Sequence, residues 1–167
     1  GMGGGTGTGA SPIIAEVAKA MGILTVAIVT KPFSFEGPLK KNNAATGINN
    51  LRENVDTLIA IPNDRLFEIP GMNISLMNAF KEANGVLKMG IKGISDLITK
   101  QGIVNLDFAD IKSILQNSGK TVLGFGKADG EDRAKKAVEQ ALNTPLLERS
   151  IKGAGKILMN ITSGKDI

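Results

Sequence analysis

The chain has 167 residues, 42% hydrophobic and 22% charged, the balance of a globular protein long enough to bury its own core as one domain or parts of two. It contains no histidine and no cysteine, which removes the usual metal ligands, thiol nucleophiles and triad bases. Carboxylates, backbone dipoles, Lys/Arg and an oxygen-ligated Mg²⁺ are left to carry any chemistry. The net charge of +4 is mild and its lysines are spread along predicted helices, and six Phe without Tyr or Trp make no platform for bases, so no nucleic-acid partner is expected. No apolar run is long enough to insert directly in a membrane, no signal peptide is present, and the lack of cysteine fits a reducing compartment.

Six of the first nine residues, Gly1-Met2-Gly3-Gly4-Gly5-Thr6-Gly7-Thr8-Gly9, are glycine. Such a string reads as a loop in which a ligand can touch backbone without meeting a Cβ. Ser11 then suits a helix cap and Pro12 the first helical position, so the loop leads into a helix N-terminus able to hold phosphate. A Walker loop is excluded because the first lysine is Lys19. The dinucleotide fingerprint is met only nominally by Gly5, Gly7 and Ala10. The next strand ends in Thr30-Lys31 without the acid that holds a ribose, so an oxidoreductase ranks a distant third among the functions considered.

Ile13, Ile14, Val17, Ala18 and Met21 recur at helical spacing up to Gly22, which predicts an inward apolar face. Residues 23–29 are a near-continuous apolar run, suited to a parallel strand buried on both sides. A strand is expected ahead of Gly1, so the chain reads as a fragment. Residues 30–37 follow the strand on the side where open α/β sheets bind ligands, and Glu36 there is either a solvated surface acid or a ligand contact.

Residues 39–54 predict a polar helix and residues 55–61 a short strand stopped by Pro62. Asn63-Asp64 then suits a turn. Ser75 can cap a helix running to about residue 100, with Met77, Phe80, Leu87, Ile91, Ile94 and Ile98 as its apolar stripe. At 1.5 Å per residue it would span about 40 Å, enough to bridge two domains. Asp107 is a plausible N-cap, with Asp110 in the first turn, for a helix ending near Gln116.

Further on, residues 121–126 and 157–161 predict strands. Between them a helix opening at residues 130–134 would turn Ala137, Val138, Ala141 and Leu142 inward. Gly124, Gly126, Gly153 and Gly155 are expected to mark sheet bends and tight turns.

The run Gly3–Gly9 resembles the tubulin signature loop. Taken with Thr30-Lys31-Pro32-Phe33, Ile61-Pro62-Asn63-Asp64 and Asn105-Leu106-Asp107-Phe108-Ala109-Asp110, the whole chain resembles the FtsZ family of bacterial tubulin-like cell-division GTPases. The resemblance implies an α/β fold: a partial Rossmann-like GTPase domain, a long central helix and the start of a second α+β domain. It places the C-terminal part of the nucleotide domain at 1–74, the central helix at 75–101, and the loop and first half of the second domain at 102–167. GTP or GDP with Mg²⁺ is the implied ligand. Gly3, Gly4, Gly5, Thr6, Gly7, Thr8 and Gly9 would hold phosphate, Glu36 the ribose, Lys40 would stand where the family carries an arginine, Asn63 would lie near the sugar and base, and Phe80 would stack on guanine. Where the family reads Asn-Asp on the central helix this chain has Asn84-Gly85, so the guanine-reading carboxylate is absent and Asn84 is the substitute acceptor. Asn105, Asp107 and Asp110 would enter the neighbouring subunit's site, where the two acids orient the attacking water.

The same resemblance implies head-to-tail filaments, membrane-adaptor division proteins bound through a tail that this chain lacks, and a cytoplasmic location at the division site. The competing reading is a non-catalytic structural or capping subunit, supported by Lys40 and Gly85. Isolated from the rest of its two domains, the chain is expected to bind GTP poorly and turn it over little.

Overall fold

The computed structural model describes residues 1–69, 75–144, 146 and 151–164. Three parallel strands, β1 (Val26–Lys31), β2 (Thr57–Pro62) and β3 (Gly119–Thr121), lie side by side in that order. Val26 pairs with Thr57 and Lys31 with Pro62, and Thr57 and Ile59 pair in turn with Gly119 and Thr121. Parallel neighbours need a crossover. Helix α2 (Pro38–Arg52) makes the first, and α3 (Leu76–Thr99) and α4 (Phe108–Leu115) lie within the second. Helix α1 (Gly5–Ala20) precedes the sheet and α5 (Arg133–Leu142) follows it.

The two-residue period of the strands divides the core. Ala27 and Val29 of β1 and Leu58 and Ala60 of β2 face one side, with Met2, Ala15 of α1, and Ala44, Ile48 and Leu51 of α2. Ile28, Ile59 and Ile61 face the other, with Phe33, Leu66, and Ala79, Ala83 and Val86 of α3. The result is a sheet between helical layers, as an apolar strand run buried on both faces requires.

The strand registers start later than the apolar run does. Asp56 accepts the Thr25 N–H at 2.9 Å and Thr25 Oγ1 donates to the Ile23 carbonyl at 2.8 Å, so residues 23–25 are held by local and side-chain bonds and the ladder begins at Val26. Pro62 does not stop β2 but closes it, as the last paired residue.

Which helix faces are buried differs from the expected stripes. In α1, Ile13, Ile14 and Val17 are exposed, as is Met21 at its C-cap, and Ala18 is half-buried; Pro12 and Ala15 form the buried face. In α3, Met77, Phe80, Ile91 and Ile98 are exposed, and Ala79, Ala83, Val86 and Gly90 are buried. In α5, Val138 and Leu142 are exposed while Ala137 and Ala141 are half-buried. The reason is common to all three. Helices that lie close to neighbouring backbone need small residues at the contact, and hydropathy stripes weight large ones.

Beyond β3 the expected strand at 121–126 stops at Thr121. Residues 122–126 leave the sheet and run against α5, where a Cβ on Gly124 or Gly126 would overlap the Ala141 or Ala137 carbonyl. Those two glycines therefore serve close approach rather than sheet bends. Residues 157–161 form no strand, and Ile157, Met159 and Ile161 are exposed. Gly153, at φ +85°, does make a tight turn closed by Ala154 N–H on the Ile151 carbonyl at 3.0 Å.

Candidate functional site

The glycine string is a short loop followed by helix, not a nine-residue loop. Only residues 1–4 are non-helical; Gly5, Thr6, Gly7, Thr8 and Gly9 already belong to α1, with Gly4 at the N-cap. Ser11 is thus no cap: its hydroxyl donates to the Gly7 carbonyl, and Pro12 sits inside the helix. The first-turn N–H groups have no intrahelical acceptor, no side chain caps them, and no acid stands in the first turn. Gly4 and Gly5 face open space. The arrangement presents uncapped donors and a positive dipole end to solvent, which is how backbone holds an anion.

The loop is braced from behind. Met2 N–H donates to the Thr30 carbonyl at the end of β1, at 3.0 Å. Gly3 has φ +113°, and a Cβ there would stand 3.0 Å from the Lys40 carbonyl and 3.3 Å from Pro32 Cγ, so glycine is required twice over. Thr8 turns back from α1 and accepts the Gly3 N–H at 2.8 Å.

Four phenylalanines gather after the strand ends. Phe33 is fully buried, stacks on Phe35 at 4.9 Å and 15°, and takes Phe80 edge-on at 5.4 Å and Phe67 at 5.5 Å. Phe35 and Phe80 also meet edge-to-face, at 6.0 Å and 87°, and both keep about half their surface exposed. Glu36, in the 3₁₀ turn Ser34–Glu36, accepts the Phe33 N–H at 2.9 Å and pairs with Lys40 at 3.0 Å. Glu36 and Lys40 thus meet each other beside the glycine loop.

Asn63 opens the 3₁₀ helix Asn63–Glu68 directly after β2 and is 5% exposed. Its Oδ1 is buried and has no hydrogen-bond partner among the described residues. An orphaned buried carbonyl costs about 1–3 kcal/mol, so the atom is open to a donor from water or a ligand. Its neighbour Asp64 is fully engaged: it accepts the Ser34 N–H at 2.7 Å and the Ser34 hydroxyl, with Lys41 3.9 Å away. Desolvation pushes the Asp64 carboxyl up, but the Ser34 hydroxyl, the Ser34 N–H and Lys41 together hold it below the ordinary aspartate value. This Ser34–Asp64–Lys41 cluster, which ties the loop after β1 to the turn after β2, had no signal in the sequence because its partners stand 30 residues apart.

The glycine loop, Glu36, Lys40, Asn63 and Phe80 thus all lie where β1 and β2 end, at the carboxyl edge of the sheet. Asn84 is one turn beyond Phe80 on α3, exposed, in a shallow groove with Leu87, Lys88 and Ile91. At Gly85 a Cβ would meet nothing within 4 Å.

Asn105, Asp107 and Asp110 form a cluster whose hydrogen bonds close within residues 102–113. Asp107 caps α4 by accepting the Asp110 N–H at 2.8 Å, as its position predicted. Asn105 Oδ1 accepts the Gly102 N–H at 2.7 Å and its Nδ2 donates to the Gly102 carbonyl at 3.2 Å. All three residues are exposed.

Residues 1–71 match the tubulin/FtsZ family GTPase domain, and residues 119–167 match the FtsZ family C-terminal domain. Among solved structures, an empty FtsZ dimer from M. jannaschii is 51% identical, with a TM-score of 0.84, over 87% of this chain and 42% of that one. A GDP-bound CetZ1 monomer from Haloferax volcanii is 25% identical, with a TM-score of 0.54, over 76% of this chain and 35% of that one. CetZ from Methanosaeta thermophila, at 24% identity, shares the fold with a TM-score of 0.68 over 84% of this chain and 40% of that one. The chain thus spans less than half the length of these relatives. Two domain matches from one family and half-identity across most of its residues, on an α/β frame with the matching parallel sheet, establish that the chain belongs to the tubulin/FtsZ family.

Proposed function

We propose that this chain carries the guanine-nucleotide contacts of a GTP-hydrolysing, self-assembling protein of bacterial cell division. The observation that carries the reading is the buried Asn63 carbonyl, without a partner among the described residues and at the same sheet edge as the uncapped first-turn amides of α1. One site can satisfy both at once: a ligand with phosphates for the amides and an N–H or O–H donor on its sugar or base for Asn63. Phe80 offers a half-exposed ring to the base, and Glu36 and Lys40 flank the ribose and phosphates. The CetZ1 relative is described as GDP-bound, which agrees with that ligand class.

Hydrolysis needs water placed and polarised at the terminal phosphate, and Asp107 and Asp110, with Asn105 fixing their loop, supply the carboxylates. They do so from the adjacent subunit, in a head-to-tail contact that extends into filaments rather than closing; the M. jannaschii relative is described as a dimer. Among the described residues no three Asp, Glu, His or Cys gather into a metal site, so Mg²⁺ would be held chiefly by the nucleotide phosphates and water. Residues 1–74 serve as the latter part of the nucleotide domain, 75–101 as the central helix, and 102–167 as the catalytic loop and opening of the second domain. The protein works at the cytoplasmic division site, with membrane adaptors bound through a tail outside these residues. Among the described residues no helix is long and apolar enough to cross a membrane.

Equilibrium titration with GTP and ATP, with these residues carried in a chain of the relatives' full length, tests this reading. Saturable GTP binding and a turnover per chain that rises with protein concentration are expected. Turnover independent of concentration would remove the shared site. A second reading, a non-catalytic assembly subunit, draws on Gly85 and on the Asp107 carboxylate being occupied as a helix cap. Gly85→Asp separates the two, since open space surrounds the position. A gain of about tenfold or more in GTP-over-ATP preference, the worth of one charged hydrogen-bond pair, supports the divergent GTPase; no gain supports the assembly subunit.

A further inference from the structure

Helix α2 touches the glycine loop at two levels. Near its start, the Lys40 backbone carbonyl abuts Gly3. Two turns on, Gly47, buried in α2, lies so close to α1 that a Cβ there would overlap Thr8 Cγ2 and stand 3.3 Å from the Thr8 carbonyl. Thr8 is also the residue whose Oγ1 accepts the Gly3 N–H at 2.8 Å. Its two branches are therefore used in opposite directions, the methyl against Gly47 and the hydroxyl on the loop.

We propose that Gly47 is a positioning residue for the phosphate loop, acting through the rotamer of Thr8. The threonine χ1 well that turns Oγ1 toward Gly3 is the one that turns Cγ2 toward α2, because a β-branched side chain has its two substituents fixed relative to each other. Only glycine at position 47 leaves room for that methyl. Any Cβ there forces Thr8 into another well, which removes the acceptor from Gly3 N–H, or pushes α1 away from α2. Either way the loop loses the bond that sets its path from Gly3 into the first turn of α1. Nothing in the local sequence marks Gly47 for this role. It stands mid-helix, where glycine is costly, 39 positions from its contact. The functional consequence rests on the nucleotide reading above; the link from Gly47 to the loop does not.

The experiment therefore has two readouts, with these residues carried in a chain of the relatives' full length: hydrogen exchange at the Gly3 amide, which needs no ligand, and GTP affinity. Gly47→Ala is expected to speed Gly3 exchange and raise the GTP Kd by about five- to tenfold each, the range of one lost neutral hydrogen bond. The kcat at saturating GTP changes little, because the proposed catalytic acids lie on another element, at the N-terminus of α4. Adding Thr8→Ser deletes the obstructing methyl and keeps the hydroxyl, so the double variant should return both readouts to the level of Thr8→Ser alone. A helix merely destabilised by its substitution would not be rescued by a serine in its neighbour. Unchanged Gly3 exchange in Gly47→Ala, or no rescue in the double variant, overturns the proposal. If the unaltered chain bound no GTP, the nucleotide reading would fall, and the exchange data alone would decide the role of Gly47.

Discussion

At the scale of single residues, the site is marked by polar groups whose needs the described residues do not meet. Asn63 Oδ1 is buried with no donor among the described residues, an unmet need that water or a ligand can satisfy. Replacing it with an apolar side chain of similar size removes the unmet acceptor. Asn63→Leu is thus expected to leave the ligand-free melting temperature unchanged or raised while weakening GTP binding about tenfold, a split that paired thermal and binding titrations would read.

Asp64 behaves in the opposite way, because its partners are all present. Its folded-state pKa is held below the unfolded value, so the unfolded chain takes up a proton first as the pH falls. The contribution of the Ser34–Asp64–Lys41 cluster is accordingly full above about pH 4 and fades below it. Thermal unfolding of the unaltered chain and of Asp64→Asn should differ at pH 7 and converge toward pH 3. Equal curves at every pH would mean that the cluster contributes nothing, as is true of many ion pairs this exposed.

At the scale of elements, the buried face of α3 is chiefly its small-residue face. Ala79, Ala83 and Gly90 of α3 lie against the sheet side, and the larger Met77, Ile91 and Ile98 are left outside. A leucine at Ala83, 4% exposed, has no room, so Ala83→Leu should cost about 1–3 kcal/mol by overpacking. Met77→Ser, at a position 93% exposed, should stay within about 0.5 kcal/mol in the same denaturant titration. The reverse order would mean that the hydropathy stripe, not the small-residue face, is the one packed. Such a stripe marks a helix reliably, because helical period is a property of one segment. It does not say which neighbour comes close.

At the scale of the whole molecule, the proposed chemistry is divided between a glycine loop at the sheet edge and acids at the N-terminus of α4, whose bonds close locally. Division between subunits has a consequence that no single-chain mechanism shares. Gly4→Glu sets a carboxylate at the phosphate position, where nothing lies within 4 Å of the new Cβ, and Asp110→Ala removes a proposed catalytic acid. Each full-length variant alone should be inactive. Mixed in equal amounts they should recover about a quarter of the unaltered turnover, since half the loops and half the acid loops are intact and they pair at random across a heterologous contact. A mixture as inactive as its components would place both halves of the site in one chain.

Features set within a few residues of one another are legible in the chain before it folds. The apolar runs of the two long strands, the span of α3, the Asp107 cap on α4 and the glycine-to-helix string are all of this kind, because period, capping and backbone freedom act locally. So are the motifs that pointed to the family. The remainder follows from tertiary contact. Packing set α1 to begin at Gly5 with Pro12 inside, stopped β3 at Thr121, and turned 122–126 onto α5. It also tied Ser34 to Asp64 and seated the Thr8 methyl in the gap at Gly47. Each of these depends on where distant backbone happens to approach, and close packing turns such an approach into a requirement for a particular small or polar residue that no local pattern announces.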